Sequence, residues 1–234
     1  MKDKNKSHWN DQQKKLQSLI RDRADHKEII RLFQTQHLMT HSSSISNKRL
    51  WSFHDEVFED LSDEVFRTTA QKIKNSIAWH VWHTTRIEDI TMNMLVKNED
   101  QILYRSHLHK EINIPYIDTG NSMTEKEIRT LNSKINCSAL LKYRNEVGET
   151  TTQIISSLTP EDLKRKIEKN LLRRIILEKA VDKDSMWLID FWGKKNIAGL
   201  LLMPATRHNM VHLNKSMEIK NKIMKVKDHV STER

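Results

Sequence analysis

Two histidines near the C-terminus have the spacing of metal ligands. His208 and His212 lie four positions apart in the segment PATRHNMVHLNK. On a helix, both imidazoles would project from one face, and each can bind an ion at about 2.0–2.1 Å. The same face, or positions near it, also carries the apolar residues Leu201, Ala205 and Ile219, which predicts that both histidines point into a helix bundle. The spacing alone fits two histidines that are packed or exposed equally well, so a metal site requires a third ligand from another part of the chain.

The segment SIAWHVWHTTRIED supplies two candidates for the third ligand, His80 and His83. They lie three positions apart and would point about 60° apart on a helix, so one can ligate while the other packs or supports. Three imidazoles that leave a fourth position open to water are typical of a catalytic metal site. Imidazoles suit zinc, nickel, iron and copper alike, so the pattern does not choose the metal.

The same segment excludes one class of metalloenzyme. Zinc metalloproteases place a glutamate directly after the first histidine of an HExxH motif, where it acts as the general base. Here that position is Asn209, whose amide cannot accept the proton. The pair is therefore not a protease signature.

The composition indicates the kind of scaffold that positions these residues. The 234 residues include only four glycines and three prolines, with 37% hydrophobic and 30% charged residues. Sandwiches and barrels need many turns, so this composition favours an all-α fold with long helices. The single Cys137 excludes an internal disulfide framework and a cysteine zinc site, and a lone cysteine in a helical stretch favours a core position.

The apolar spacing divides the chain into an extension, a bundle and a tail. An extension over residues 1–25 carries a helix around Asp11–Arg21, a bundle follows over 26–225, and 226–234 is a basic tail. In the first half of the bundle we predict helices over 26–42 and 70–97, with a connecting segment over 50–66 between them and a loop over 98–122 after them. A further helix is predicted from Ser122 or Thr124 to Leu158, followed by a helical turn that starts at Pro160 and is capped by Thr159. The segment within 168–184 fits a strand or a helix, and a last helix is predicted from Asp184 or Ser185 to Lys225, with a kink or a start at Pro204.

The charge and hydropathy limit the possible partners. The net charge is +9, but the lysines are spread and no aromatic, arginine-rich motif for stacking bases is present. This favours a solvated basic surface over a nucleic-acid interface. The charged N-terminal sequence has no signal peptide pattern, and no apolar segment reaches the roughly 20 residues of a membrane span. A cytoplasmic protein is expected.

Three segments together carry a family resemblance: NSIAWHVWHTTRIED, LTPEDLKRKI and FWGKKNIAGLLLMPATRHNMVHLNK. They resemble the DinB-like (DNA-damage-inducible) superfamily of metalloenzymes over roughly residues 26–225. The resemblance implies a four-helix bundle with up-down-down-up order. It places the ligands at His83, which precedes RIED, and at His208 and His212. The segment KYRNEVGETT matches the third helix of the family. The chain departs from the family pattern in its N-terminal 25 residues, in Lys215, and in the additional candidate His80.

The resemblance also implies a function. DinB-like members include thiol-dependent transferases and isomerases, so we expect a metal-dependent enzyme with a small-molecule substrate and a low-molecular-weight thiol as co-substrate. A divalent ion on three histidines can bind a thiolate or lower the pKa of bound water towards ~7, which leaves thiol transfer and metal-assisted hydrolysis open. The alternatives are a non-catalytic metal- or ligand-binding bundle, such as a stress sensor, and a basic nucleic-acid-associated protein. Homodimerisation suits bundles of this class, although no residue demonstrates it.

Other residues have both a functional and a structural interpretation. His37 and His41 lie four apart on the first bundle helix and could face one way. Glu88 and Asp89 could accept a hydrogen bond from a ligand histidine, but surface charges paired with Arg86 or a lysine are the favoured interpretation.

A second group of residues surrounds the predicted site. Arg144 and Arg207 are expected to be solvated, or else to bind an anionic substrate. Tyr143 could reach the site or pack in the interior. The tryptophans are expected in the core, and Trp79, one turn before His83, could line the pocket.

Overall fold

The computed structural model describes residues 2–22 and 25–232, and this part of the chain is all-helical. The α-helices in chain order are α1 (Lys2–Arg21), α2 (His26–Leu38), α3 (Phe53–Phe58), α4 (Asp63–Arg67), α5 (Ile77–Asp89), α6 (Ile102–Arg105), α7 (Leu108–Glu111), α8 (Glu125–Lys134), α9 (Cys137–Ser157), α10 (Pro160–Lys164), α11 (Lys169–Leu177), α12 (Trp187–Gly193), α13 (Ile197–Leu202) and α14 (His208–Thr232). Two 3₁₀ turns cover Ser43–Ile45 and Lys183–Ser185, and two π-helical segments cover Ile90–Lys97 and Met203–Arg207. No β-strand occurs in these residues; one isolated bridge joins Lys166 to Asn196.

The helix that carries His83 is shorter than the predicted 70–97. Lys72 has a left-handed backbone (φ 63°) that interrupts helical geometry, and α5 begins only after Ser76. The Ser76 hydroxyl accepts a hydrogen bond from the backbone N–H of Trp79, which satisfies one of the free donors of the first turn. From Ile90 the chain continues in wider π-helical turns to Lys97.

The predicted helix from Thr124 to Leu158 is two helices, α8 and α9. Thr124 forms the expected cap, a reciprocal capping box with Glu127. Ile135 then adopts an extended backbone, and the side chain of Asn136 caps α9 by accepting from the backbone N–H of Ala139. The predicted Thr159–Pro160 helix start is confirmed, again with a capping box.

The prediction of one long helix from residue 184 or 185 to 225 is wrong. The chain forms α12, breaks before Asn196, and restarts as α13 because the Asn196 side chain caps it at Gly199. Pro204 lacks an N–H and cannot continue an α-helix, so the backbone widens into the π-helical segment Met203–Arg207. The side-chain amide of Gln13 donates to the carbonyl of Leu202 there. This widened segment ends where α14 begins, at His208.

Two segments contain more helix than the sequence indicates. The predicted loop over 98–122 contains α6 and α7, and the ambiguous segment within 168–184 forms α11. Both α6 and α7 have only four residues, which is too short for a periodic apolar pattern to reveal them.

Helix α5 is the centre of the fold. It packs against α9 on one side and α14 on another, while α2 packs against both α9 and α1. All residues of α5 are buried, as expected of a helix that is enclosed by others. Helix α1 buries Trp9 and Leu16, and the Trp9 indole donates to the carbonyl of Gln36, so the N-terminal helix is packed onto α2. Cys137 is buried in the core, as predicted.

Among the described helices, none combines the length and the apolar character that crossing a bilayer requires.

Candidate metal centre

The structure brings His83, His208 and His212 together, from α5 and the first five residues of α14. Candidate ligand atoms from the three rings all lie within 4.8 Å of one another. Nε2 of His83 is 3.1 Å from Nε2 of His208, and the ring centroids of His208 and His212 are 4.4 Å apart. Two ligands on one ion at about 2.1 Å are separated by about 3.0–3.4 Å for bond angles between 90° and 109°. The spacing between His83 and His208 is therefore that of two ligands on one ion.

The hydrogen bond of His83 fixes which of its nitrogens faces this space. Nδ1 lies 2.7 Å from the backbone carbonyl of Thr119, and because a carbonyl only accepts, Nδ1 must carry the proton. Nε2 of a neutral His83 then presents a lone pair to His208. Nδ1 of His208 is buried without a hydrogen-bond partner in the described chain. Ligand histidines usually donate their second nitrogen to a carbonyl or carboxylate, which is the arrangement of His83.

The rings are held neutral, which is the form that binds a cation. Burial lowers the pKa of His83 to about 4, against a hydrogen bond to Thr119 that favours the protonated ring. Burial also lowers the pKa of His208 and His212 far below the usual range, and the neighbouring histidines lower both further because positive charges so close repel.

The ring of His80 lies beside these three rings, and it contacts His212, which is one of the candidate ligands. Nδ1 of His80 lies 2.7 Å from Nδ1 of His212. That contact uses Nδ1 of His212, so Nε2 is the nitrogen of this ring that could bind a metal ion. Burial, His83 and Lys215 lower the pKa of His80 to about 3, so it too is neutral.

One wall of the site is a loop held by three aromatic side chains of α5. Trp82 donates to the carbonyl of Asp118, His83 to that of Thr119, and Trp79 to that of Gly120, so three consecutive carbonyls are used. Trp79 also stacks on His83, with centroids 4.7 Å apart and planes 7° apart. Trp79 is therefore a buried core residue that packs against His83, and it is not among the residues that line the cavity beside the histidines. The role of the loop was missed, because a backbone acceptor leaves no mark in the sequence.

His83 and His208 also line a cavity of about 220 Å³. The other lining residues are Ile87, Asn121, Trp187, Leu188, Phe191, Trp192, Met203 and Pro204. None of these lining residues carries a formal charge, and their polar groups are the Asn121 amide and the indole N–H groups of the two tryptophans. Trp187 is 57% exposed, so part of this apolar wall faces solvent. A cavity of this composition suits an uncharged, apolar group placed beside the histidines.

Comparison with known proteins identifies the family. A sequence model of the DinB superfamily matches residues 48–214, which is well over half of the chain. The chain belongs to the DinB superfamily. No curated protein matches it. The residues matched to the DinB superfamily include His83, His208 and His212, which are the positions assigned from the resemblance.

A second buried group lies partly outside the residues matched to the DinB superfamily. His37 and His41 on α2 both contact the carboxylate of Glu88 on α5, and the three side chains could also hold a metal ion. Glu88 is fully buried, so its interpretation as a surface charge is wrong. The spacing of His37 and His41 was the signal for this group, but nothing in the sequence pairs them with Glu88.

Asp89 and Tyr143 belong to a third buried network and do not reach the histidines of the site. The Asp89 carboxylate accepts from Arg86, from the Tyr143 hydroxyl at 2.6 Å, and from the backbone N–H groups of Ile102 and Leu103. The interpretation of Asp89 as a surface charge is therefore wrong, although its predicted pairing with Arg86 is present. This network anchors the segment after α5 to α9.

The two candidate anion-binding arginines differ in position. Arg144 is fully buried, contrary to the expectation that it is solvated, and its guanidinium donates to the Thr40 carbonyl and the Thr84 hydroxyl. Arg207 is exposed, as expected, and donates to Asn10 on α1. Neither arginine lines the cavity beside His83 and His208.

Proposed function

We propose that the protein is a metal-dependent enzyme of the DinB class that holds one divalent ion on His83, His208 and His212. The observation that carries the proposal is the 3.1 Å separation of the His83 and His208 Nε2 atoms, with His83 Nδ1 donating to Thr119. Zinc, nickel or iron would fit this neutral, all-nitrogen donor set. The topology of the family, an up-down-down-up bundle of α2, α5, α9 and α14, is part of the proposal and is supported by the contacts of α5 with α9 and α14.

The reaction we propose is transfer of a thiol to an electrophile, with metal-assisted hydrolysis as the alternative. The ion would supply Lewis-acid activation of the attacking thiol or water. The side chains around the ion would orient the second substrate. The stacked Trp79 and the loop carbonyls hold His83 in place, and the apolar cavity accepts an uncharged group and excludes water.

The cavity favours an enzyme over a non-catalytic metal-binding bundle. A site that only holds a metal needs no adjoining space, whereas this one opens towards the exposed Trp187. The thiol is an expectation from the family, and it would come from solution, because the one cysteine, Cys137, is buried and burial raises the pKa of its thiol to about 11.

Metal content tests the metal part of the proposal. Untagged, full-length protein is purified, loaded with zinc, desalted, and measured by elemental analysis, alongside His208→Gln and a control variant at the exposed His8, His8→Gln. We expect His208→Gln to bind one equivalent of zinc less than the parent, and His8→Gln to match the parent. Equal zinc in all three proteins would refute the three-histidine site.

Activity is tested separately on the zinc-loaded parent. Thiols are screened with apolar electrophiles, and hydrolysis of uncharged esters is measured without thiol. Turnover that disappears in His208→Gln would support the enzyme. Stoichiometric metal without turnover in either screen would leave the non-catalytic bundle as the better description.

A further inference from the structure

We propose that His37, His41 and Glu88 form a second, structural site for a divalent transition-metal ion. His37 and His41 lie one turn apart on α2, with ring centroids separated by 4.2 Å. Their Nε2 atoms approach different oxygens of the Glu88 carboxylate, at 2.7 Å from His37 and 3.1 Å from His41. All three side chains are no more than 1% exposed.

The separations fit a shared ion. Candidate ligand atoms of the three side chains lie within 4.8 Å of one another, as they do in the group formed by His83. Two imidazoles and one carboxylate are a donor set that binds zinc and iron at about 2.0–2.2 Å, so neighbouring ligand atoms on one ion lie about 3 Å apart. The distances between the rings and the Glu88 carboxylate are close to this value.

The charges around the buried Glu88 carboxylate also favour binding of a cation. Within the described chain, no lysine or arginine nitrogen lies within 4.0 Å of its carboxylate, and its ion-pair contacts are the two imidazoles alone. Arg144 interacts with Glu88 electrostatically, but its terminal N–H groups donate to Thr40 and Thr84 instead. A fully buried carboxylate is costly unless a positive charge compensates it directly, which a divalent ion would do.

Two neighbouring residues complete the site. Asn209, on α14, lies with its amide nitrogen 2.6 Å from Glu88, and its Oδ1 is buried without a hydrogen-bond partner among the described residues. Because the two ends of an amide are exchanged by a 180° rotation, Asn209 can turn Oδ1 towards the ion as a fourth ligand. Gly148, on α9, makes room for the ring of His41: a Cβ at that position would lie 2.6 Å from Nδ1 of His41.

The location indicates a structural role. With three side chains that solvent does not reach, the site has no open position for a substrate, unlike a catalytic metal site. An ion here would join α2 to α5, and to α14 through Asn209. His37 and His41 precede the residues matched to the DinB superfamily, so the family match covers Glu88 but not the two histidines of this site.

Zinc stoichiometry separates the two sites. Full-length, untagged protein is stripped with a chelator, reloaded with zinc and desalted, for the parent, Glu88→Gln, His208→Gln and the double variant. Glu88→Gln keeps the size of the side chain, removes its charge, and replaces one acceptor oxygen with an NH2 donor. We expect about two equivalents in the parent, one in each single variant, and none in the double variant. One equivalent in both the parent and Glu88→Gln, lost in His208→Gln, would overturn the second site and leave the first intact.

A second measurement covers a Glu88→Gln protein that does not fold. X-ray absorption of zinc in His208→Gln reports the remaining site directly, and we expect the multiple scattering of two imidazole rings. Zinc should also raise the Tm of His208→Gln, and His41→Gln in the same background should remove that rise and leave one imidazole ring. A count of imidazole rings that His41→Gln does not change, or a Tm that zinc leaves unchanged, would contradict the proposal. If His208→Gln instead keeps two equivalents, the three-histidine site has failed and this one has not.

Discussion

Nδ1 of His80 lies 2.7 Å from Nδ1 of His212. One of these nitrogens must carry the proton of the hydrogen bond, and both rings are neutral because burial lowers their pKa values. If His212 carries it, its Nε2 has a lone pair for the metal, and His80 is the partner that orients the ring. His80 would then support a ligand without being one, although it is on the same helix as His83.

Changing His80 should therefore weaken zinc binding without removing a binding site. We expect His80→Ala to lower the zinc affinity of the three-histidine site about 10–100-fold, the usual effect of losing a partner of a ligand histidine. Competition with a chromophoric chelator measures the affinity, with Glu88→Gln as the background so that only this site is titrated. His80→Gln, which can still accept from His212, should recover part of the loss. Loss of the whole equivalent in His80→Ala would make His80 a ligand.

The loop that holds His83 should be sensitive to a single methyl group. Gly120 has φ +73°, where an L residue is strained, and a Cβ would lie 3.2 Å from Nε1 of Trp79. Gly120→Ala should lower the free energy of unfolding by about 1–2 kcal/mol and weaken zinc binding, because the neighbouring Thr119 carbonyl orients His83. Urea unfolding in chelator and zinc competition measure the two effects.

A matched glycine provides the control for that variant. Gly199 lies inside α13, without the positive φ of Gly120. Gly199→Ala should leave zinc affinity at the parental value, because the residue does not contact the loop or the histidines. Equal effects of both substitutions on zinc affinity would mean that the Thr119 carbonyl does not position His83.

The sequence predicts those parts of the site that depend on spacing within one helix. His208 and His212 share a face because they are four residues apart, and the resemblance to the DinB superfamily selects His83 over His80. The all-helical class follows from the scarcity of glycine and proline, but the helix ends do not. Ser76, Asn136 and Asn196 each start a helix through a side-chain cap inside a stretch whose apolar spacing is continuous.

Contacts between separate elements could not be predicted in the same way. Glu88 meets His37 across 51 positions of the chain, and its charge made a surface location the default interpretation. The carbonyl of Thr119 supports His83 through the backbone, which any residue type provides. These features depend on how α2, α5 and the loop before α8 pack together, and one helical pattern does not contain that information.

The network around Asp89 should stabilise the fold without affecting zinc binding. Its carboxylate is fully buried; burial raises its pKa, while Arg86 and the hydrogen-bond donors oppose that rise. Asp89→Asn would leave Arg86 buried without its counter-charge, which should lower the free energy of unfolding by about 3–5 kcal/mol. Tyr143→Phe removes the hydrogen bond that its hydroxyl donates to Asp89 and the one that it accepts from Arg86, for an expected loss of about 1–3 kcal/mol. Urea unfolding measures both, and zinc stoichiometry should equal that of the parent in each.

The stability of the metal-free protein should fall in mild acid, in part through His54. This ring is buried and stacks on Phe58 with centroids 4.1 Å apart, and no residue in the described part of the chain forms a hydrogen bond with its Nε2. Burial lowers its pKa from 6.5 to about 4, against the contact with Asp55 that favours protonation. The unfolded chain therefore binds more protons than the folded chain between pH 6.5 and 4, so the stability from this group is complete above pH 6.5 and is lost as the pH falls through that window.

His54→Phe keeps the stacked ring and removes the titration, so its loss of stability between pH 8 and pH 5.5 should be smaller than that of the parent by roughly 1 kcal/mol. Urea unfolding in chelator at the two pH values measures the difference, and equal losses in the two proteins would mean that His54 protonates as readily in the folded chain as in the unfolded one.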